Sequence, residues 1–342
     1  MTEKRAALVT GITGQDGAYL ADLLLGKGYE VHGLARDVSG FDFGRLSQSA
    51  QREGRIHLHG CDLTDYAMFR NLVAEIRPGE IYNLAAQSHV PTSIAEPQVT
   101  SEINAKAPIR LMEAILDLGL DGHTRLFLAA SSEIFGEAGG QILSEDSVMA
   151  PRNPYALSKY HSYVASQKFR KERGLFVVNG ILFNHESPYR SPAFVTRKIT
   201  LAVASTGNSA EPLRLGNLDA RRDWGHARDY VEGMWLSLQR DVPDDYVFAT
   251  GENHSVREFV ELAFEATGRR VRWEGAGKDE IGFDADSGVR LVEVDPAFFR
   301  PSDIGATVGD SSKARAELNW QPRTNFAELV REMLVSDMAR NG

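Results

Sequence analysis

The chain has 342 residues, of which 42% are apolar and 25% charged, with 38 lysines and arginines against 47 acidic residues and a net charge of −9. That balance supports a substantial buried core and excludes whole-chain disorder. The acidic surplus excludes non-specific nucleic-acid binding, which depends on a basic surface. The length predicts two lobes, or one large α/β unit with an appended part. The single cysteine, Cys61, can form neither an internal disulfide nor a cysteine-rich metal site, so no metal is expected and a reducing cytoplasm is predicted. No stretch approaches the roughly 18 uncharged apolar residues of a membrane span, and the start lacks the apolar core of a signal peptide.

In chain order, Ala6–Thr10 reads as a buried strand, and the turn 11–17 opens a helix with Leu20, Leu23 and Leu24 on one side. Glu30–Ala35 is a second strand, 55–59 a third, and Tyr66–Ile76 a helix ended by Pro78. Residues 80–84 form strand four, 103–118 a long helix, and 125–130 strand five. This alternation predicts an α/β fold with a Rossmann-type, doubly wound parallel sheet. Residues 176–182 add another core strand, followed by a loop over 184–192 rich in Asn, Pro, Ser and Arg. The expected division is a cofactor-binding core over 1–183, with 225–252 returning to it. A smaller lobe, interleaved in sequence, takes 184–224 and 253–342 and caps the carboxyl ends of the strands.

Thr10-Gly-Ile-Thr-Gly-Gln-Asp-Gly17 places Gly11, Gly14 and Gly17 between a strand and a helix. Glycine there allows a tight turn and close approach of backbone to a pyrophosphate, whose charge the helix amino end stabilises. Thr13, Gln15 and Asp16 belong to the same turn. Strand two ends at Arg36, where an arginine suits the 2′-phosphate of NADP; Asp37 beside it could meet a ribose diol, and the reading favours NADP over NAD. Asp62, followed by Leu63, is placed either to meet an adenine or to cap the next helix. Leu84, Ala85, Ala86 and Ser88 close strand four with small residues against which a cofactor can lie.

Strand five runs into Ser131-Ser132-Glu133, and Tyr155-Ala-Leu-Ser-Lys159 follows. Positions i and i+4 share one helix face. An ammonium about 4 Å from the phenol would favour phenolate by roughly 4 kcal/mol at an effective dielectric of 20, about three pKa units. That would make Tyr155 a base able to take a hydroxyl proton as hydride leaves the same carbon.

Together, these three segments resemble the extended short-chain dehydrogenase/reductase family. Longer strings are similar, more narrowly, to the GDP-mannose 4,6-dehydratase family: Ile81-Tyr-Asn-Leu-Ala-Ala-Gln-Ser-His-Val90, Asn179-Gly-Ile-Leu-Phe-Asn-His-Glu-Ser-Pro188, Phe194-Val-Thr-Arg-Lys-Ile199, Arg222-Asp-Trp-Gly-His226 and Val294-Asp-Pro-Ala-Phe-Phe-Arg-Pro301. The resemblance implies an internal redox dehydration of a GDP-hexose, with NADP regenerated in each turnover. It assigns Tyr155 to O4, Lys159 to the phenol and cofactor ribose, Ser131 to O4, and Glu133 to the C5 proton and the departing C6 hydroxyl. It further implies cofactor contacts from His185 and Arg190 and substrate contacts from Ser88, Ser132, Asn184, Lys198, Arg222, Arg300 and Asp303, and a homodimer or homotetramer. Ser131 stands where threonine is commoner, Arg36 and Arg190 stand where arginine pairs are usual, and Asp303 where glutamate is usual. These departures leave a GDP-manno-heptose 4,6-dehydratase as the alternative. An epimerase, a reductase or a silent cofactor sensor would not require Glu133. His89, His226 and Trp320 read as structural.

Overall fold

The computed structural model describes residues 5–39, 55–137, 139–205, 211–298 and 307–341. Its centre is a seven-stranded sheet. The strands are β1 (Ala6–Thr10), β2 (Glu30–Ala35), β3 (Ile56–Gly60), β4 (Glu80–Asn83), β5 (Arg125–Ser131), β6 (Val177–Leu182) and β7 (Asp245–Phe248). They lie in the order β7-β6-β5-β4-β1-β2-β3, every pair parallel. The flanking helices include α1 (Gln15–Gly26), α2 (Tyr66–Ile76), α3 (Ala107–Asp117), α4 (Pro154–Arg173) and α5 (Ala227–Leu238). This is the expected Rossmann-type arrangement, with the order reversing between β1 and β4, where such sheets open a ligand crevice.

Alternation along the strands feeds two cores. Ala7, Val9, Tyr82 and Phe127 face one layer, against α1 and α5, while Leu8, Ile81, Leu126 and Leu128 face the other, against α2 and α3. Thr10 fixes the strand ends at the crevice. Its hydroxyl donates to Asn83 Oδ1 (3.0 Å) and accepts from the N–H groups of Leu84 and Ala85 (both 3.1 Å).

The long helix expected over 103–118 is broken in its pitch: Glu102–Lys106 is a π-helical turn leading into α3. Pro108 explains it, because it lacks the N–H that an α-helix would offer to the carbonyl of Asn104. The wider turn leaves Asn104 buried, with its side chain bonded to the Gln87 backbone.

Strands Val271–Glu274, Ile281–Asp284, Arg290–Val294 and Leu213–Leu215 form a second sheet in that order. Its core joins Leu213, Leu215 and Val292 to Phe259 and Met333 of the helices Val256–Glu265 and Phe326–Asn341. The stretch 307–320, which the sequence reading assigned to this lobe, packs on the first core instead, and the chain then returns to the lobe in helix Phe326–Asn341. Val308–Gly309 pairs with Ile142–Leu143 after β5, the helix Ser312–Leu318 packs on β7 and α5, and Trp320 joins the first core. The buried indole donates to the Asp229 carbonyl (2.7 Å), which gives its one polar atom a partner. Among the described residues, no helix is long and apolar enough to cross a membrane.

Candidate active site

At the carboxyl ends of the sheet strands lies a cavity of about 650 Å³, within the usual range for small-molecule sites. Its floor is the glycine turn. Gly11 takes a left-handed backbone (φ 72°), and a Cβ there would stand 2.9 Å from Ala85. A Cβ on Gly17 would stand 2.4 Å from the Gly11 carbonyl oxygen, so only hydrogen lets α1 leave the strand this tightly. Gly14 begins α1 without any side-chain cap, which leaves its first-turn N–H groups directed at the cavity.

Gln15 and Asp16 latch this turn to the segment after β6. Gln15 Nε2 donates to the His185 carbonyl (3.0 Å), and Ser187 donates to Gln15 Oε1 (2.7 Å). His185 contacts the Phe183 carbonyl through Nδ1 (2.8 Å) and the Asp16 carboxylate through Nε2 (2.9 Å). Both partners offer acceptor oxygens, an arrangement that favours the doubly protonated ring. Burial disfavours that charge, but Asp16 more than offsets it and holds His185 above its ordinary value; Asp16 is correspondingly lowered.

Ser131, Ser132, Glu133, Tyr155 and Lys159 all line the same cavity. Ser131 ends β5, and its hydroxyl accepts from Glu133 N–H (3.3 Å). Glu133 sits on the short helical turn Ser132–Phe135. Tyr155 and Lys159 lie on the inner face of α4, both buried. The electrostatics differ from the expectation for an isolated Tyr–Lys pair. Burial pushes Tyr155 up to about 12, outweighing Ser131, and burial brings Lys159 down to about 8. The Lys159 ammonium donates to the Ala129 carbonyl (2.7 Å). Desolvation acts on both groups at once and penalises phenolate and ammonium alike, so the expected fall of Tyr155 is absent here.

Two asparagines do positioning that the sequence reading missed. Asn153 caps α4 by accepting from Ala156 N–H (2.8 Å), and its Nδ2 donates to Glu133 Oε2 (3.1 Å). One side chain therefore starts the helix that carries Tyr155 and aims the carboxylate. Asn104 accepts from Gln87 N–H (2.9 Å) and donates to the Gln87 carbonyl (2.9 Å) and to Ser158 Oγ (3.2 Å). An Asn-Pro pair before Tyr155 signals a helix start, but nothing local points to Glu133.

Gly11, Thr13, Gly14, Gln15, Asp16, Gly17, Arg36, Asp62, Leu63, Leu84, Ala85, Ala86, Ser88, His185 and Arg190 all line the cavity, as does Asn184. Asp37 turns away, accepting from the N–H (2.8 Å) and hydroxyl (2.6 Å) of Ser39. Asp62 accepts from Thr64 N–H (2.9 Å), while the cap of α2 is Asp65, whose carboxylate accepts from Met68 N–H (3.0 Å). Capping that helix is therefore not Asp62's role. Arg190 pairs with Glu186 (3.0 Å) and covers the Phe194 ring. Lys198 lies over the Phe298 ring (4.0 Å) and Arg222 donates to the Arg221 carbonyl (2.8 Å), neither among the cavity's lining residues. Arg300 and Asp303 lie outside the described residues. His89 and His226 each stand at the start of a helix, and His226 is wholly buried.

A sequence model of GDP-mannose 4,6 dehydratase matches residues 8–333. The chain belongs to the GDP-mannose 4,6-dehydratase family. Members similar to it include the GDP-mannose 4,6-dehydratase of Sinorhizobium fredii, 47% identical over 99% of this chain and 98% of that protein. The Drosophila melanogaster GDP-mannose 4,6 dehydratase is 45% identical over 98% of this chain and 86% of its own length. Among solved structures, the UDP-glucose 4-epimerase of Thermus thermophilus in complex with NAD superposes with a TM-score of 0.80 at 25% identity, covering 97% of this chain and 98% of that one. The dehydratase family thus shares its framework with a 4-epimerase.

Proposed function

We propose that the protein is a hydro-lyase that converts GDP-D-mannose to GDP-4-keto-6-deoxy-D-mannose, with NADP tightly held and regenerated in each turnover. The observation that carries the reading is a carboxylate, Glu133, beside the Ser131–Tyr155–Lys159 set in one cavity. A 4-epimerase or a reductase needs the tyrosine and lysine, and only an elimination needs the additional acid–base group.

The lining fits a dinucleotide. A glycine floor that any Cβ would obstruct and the uncapped start of α1 suit a pyrophosphate. Arg36 lines the cavity while Asp37 is turned to Ser39, which favours a 2′-phosphate over a bare ribose diol. Asp62 and Leu63 would border the adenine. Ala85, Ala86 and Ser88 would lie along the cofactor, with Lys159 on its ribose and His185 and Arg190 as cationic neighbours. When bound, NADP supplies a hydride acceptor for C4 of the sugar and, once reduced, a donor for C6.

The protein's own groups manage the protons. Tyr155 takes the proton from O4, and Ser131 steadies that oxygen. Lys159 stabilises the phenolate, whose formation burial otherwise opposes. The 4-ketone acidifies C5; Glu133 removes that proton and delivers it to the leaving C6 oxygen, so one water departs. As C6 gains hydride, Tyr155 returns to C5 the proton it took from O4, and the net redox change is zero. Ser132, Ser88 and Asn184 border the sugar side. Lys198 and Arg222, with Arg300 and Asp303, are the proposed hold on the GDP moiety from the lobe. The protein is proposed to work in the cytoplasm, which suits the free thiol of Cys61. It is proposed to assemble as a homodimer or homotetramer through exposed apolar positions such as Leu157 and Val164 on α4.

Incubation of the pure protein with GDP-mannose, followed by mass spectrometry without added NADPH, should show loss of one water from the sugar nucleotide. An unchanged mass overturns the reading. Glu133→Gln should slow water loss by about 10²–10⁴-fold while still allowing reduction of the bound nicotinamide; full activity in that variant removes the assigned role.

A further inference from the structure

Among the described residues, strands β2 and β3 pair at one edge of the central sheet, in a way that neither strand announces alone. Their register sets His32 across from His57 and Leu34 across from His59. With a side-chain period of two, Glu30 and His32 share one face of β2, and His57 and His59 share the same face of β3. The opposite face, with Val31, Ile56 and Leu58, is packed into the first core.

The resulting cluster has the donor set of a transition-metal site. Glu30, His32 and His57 each present one donor atom, and the three atoms lie within 4.8 Å of one another. Glu30 Oε1 stands 2.9 Å from His57 Nε2 and 3.9 Å from His32 Nε2. Two ligands at the 2.0–2.1 Å bond lengths of a tetrahedral zinc ion stand about 3.3 Å apart, between these two separations. A second, independent feature points the same way. His32 Nδ1 lies 3.1 Å from His59 Nε2. When Nδ1–H donates to His59, the Nε2 lone pair of His32 is left facing Glu30 and His57. This is the outer hydrogen bond that fixes the tautomer and ring plane of metal-binding histidines. The rings also stack, His32 on His57 at 4.9 Å and on His59 at 5.3 Å, which limits their rotation.

We propose that Glu30, His32 and His57 form a Zn²⁺ site on the outer edge of the sheet, with His59 as the group that orients His32. Imidazole nitrogens with one carboxylate suit zinc and its neighbours in the transition series, and not magnesium or calcium, which require oxygen ligands. Three protein ligands leave a fourth position to water. The side chains are graded in exposure, with His32 at 15%, Glu30 at 31% and His57 at 44%, so an ion has a path from solvent to the innermost ligand. Bound there, the ion cross-links β2 to β3 and reinforces that strand pair, beyond which no further strand lies among the described residues. The site stands apart from the proposed chemistry and does not depend on it.

The test uses untagged full-length protein, stripped with a chelator and titrated with ZnCl₂ by calorimetry, with MgCl₂ as the control. We expect saturable binding of one Zn²⁺ per chain, no Mg²⁺ binding at the same concentrations, and a zinc-dependent rise in Tm. His57→Ala and Glu30→Gln, both at partly exposed positions, should each lose the zinc binding and the Tm rise while water loss from GDP-mannose proceeds at the wild-type rate. His59→Gln should retain the stoichiometry but weaken binding about 10–100-fold. Absence of saturable zinc binding in the wild type, or unchanged affinity in His57→Ala or Glu30→Gln, overturns the proposal.

Discussion

Asn153 has two jobs that can be separated. Its Oδ1 caps α4 and its Nδ2 holds Glu133. Asn153→Ala should lose both, lowering stability by about 1 kcal/mol, the usual worth of such a cap, and lowering kcat as well. Asn153→Ser keeps a capping oxygen but cannot reach out with a second donor. Denaturant midpoints should therefore return close to wild type in the serine variant while kcat stays depressed; equal activity of the serine variant and the wild type would leave Asn153 with the cap alone. Glu133 is singled out in the sequence through the family resemblance, which implies an elimination and hence an acid–base carboxylate. The amide that aims it is not, since the two are 20 positions apart and meet only when α4 docks on β5.

Among the elements, the link between α1 and the strand after β6 carries a titration. Folding raises His185 above its ordinary value near 6.5, with Asp16 outweighing the opposing effect of burial. A histidine raised in this way contributes stability that is complete below about 6.5 and is lost as pH rises through its native value. Chemical-denaturation midpoints should therefore fall on the alkaline side of 6.5, and His185→Gln should remove that part of the slope. A variant with the same pH profile as the wild type would show that the ion pair does not contribute. The glycine turn was readable in the sequence because its spacing lies within eight residues of strand, turn and helix. The partner of Asp16 is 169 positions away, and no local pattern indicates it.

For the whole molecule, the order of the chain and the order of the structure diverge. Asp245–Phe248 pairs with β6 at the sheet edge, and the stretch 307–320, assigned to the lobe from the sequence, packs on the core. Trp320 is 2% exposed, edge-on to both Phe248 and Tyr230. Trp320→Ala should cost about 3–5 kcal/mol, the range for truncating a buried aromatic, and should lower the unfolding midpoint of the core itself. If only the lobe's unfolding shifted, the indole would belong to the lobe. Asp223 strengthens the same return: its wholly buried carboxylate accepts from the N–H groups of Thr250 (2.8 Å), Gly251 (3.0 Å) and Gly309 (3.2 Å). Two distant backbone segments, 250–251 and 309, converge on one side chain there, a satisfaction of buried donors that no single segment records.

Periodicity and short motifs were enough to read the strands of the parallel sheet, the phosphate turn, and the serine, glutamate, tyrosine and lysine on its rim, because each depends on residues a few positions apart. The folded molecule alone determined the π turn that buries Asn104, the double contact of Asn153, the pairing of His185 with Asp16, the raised Tyr155 and the histidine cluster on the sheet edge. Each of these arises from desolvation or from pairing between segments distant in sequence, and both quantities exist only once the strands and helices have packed.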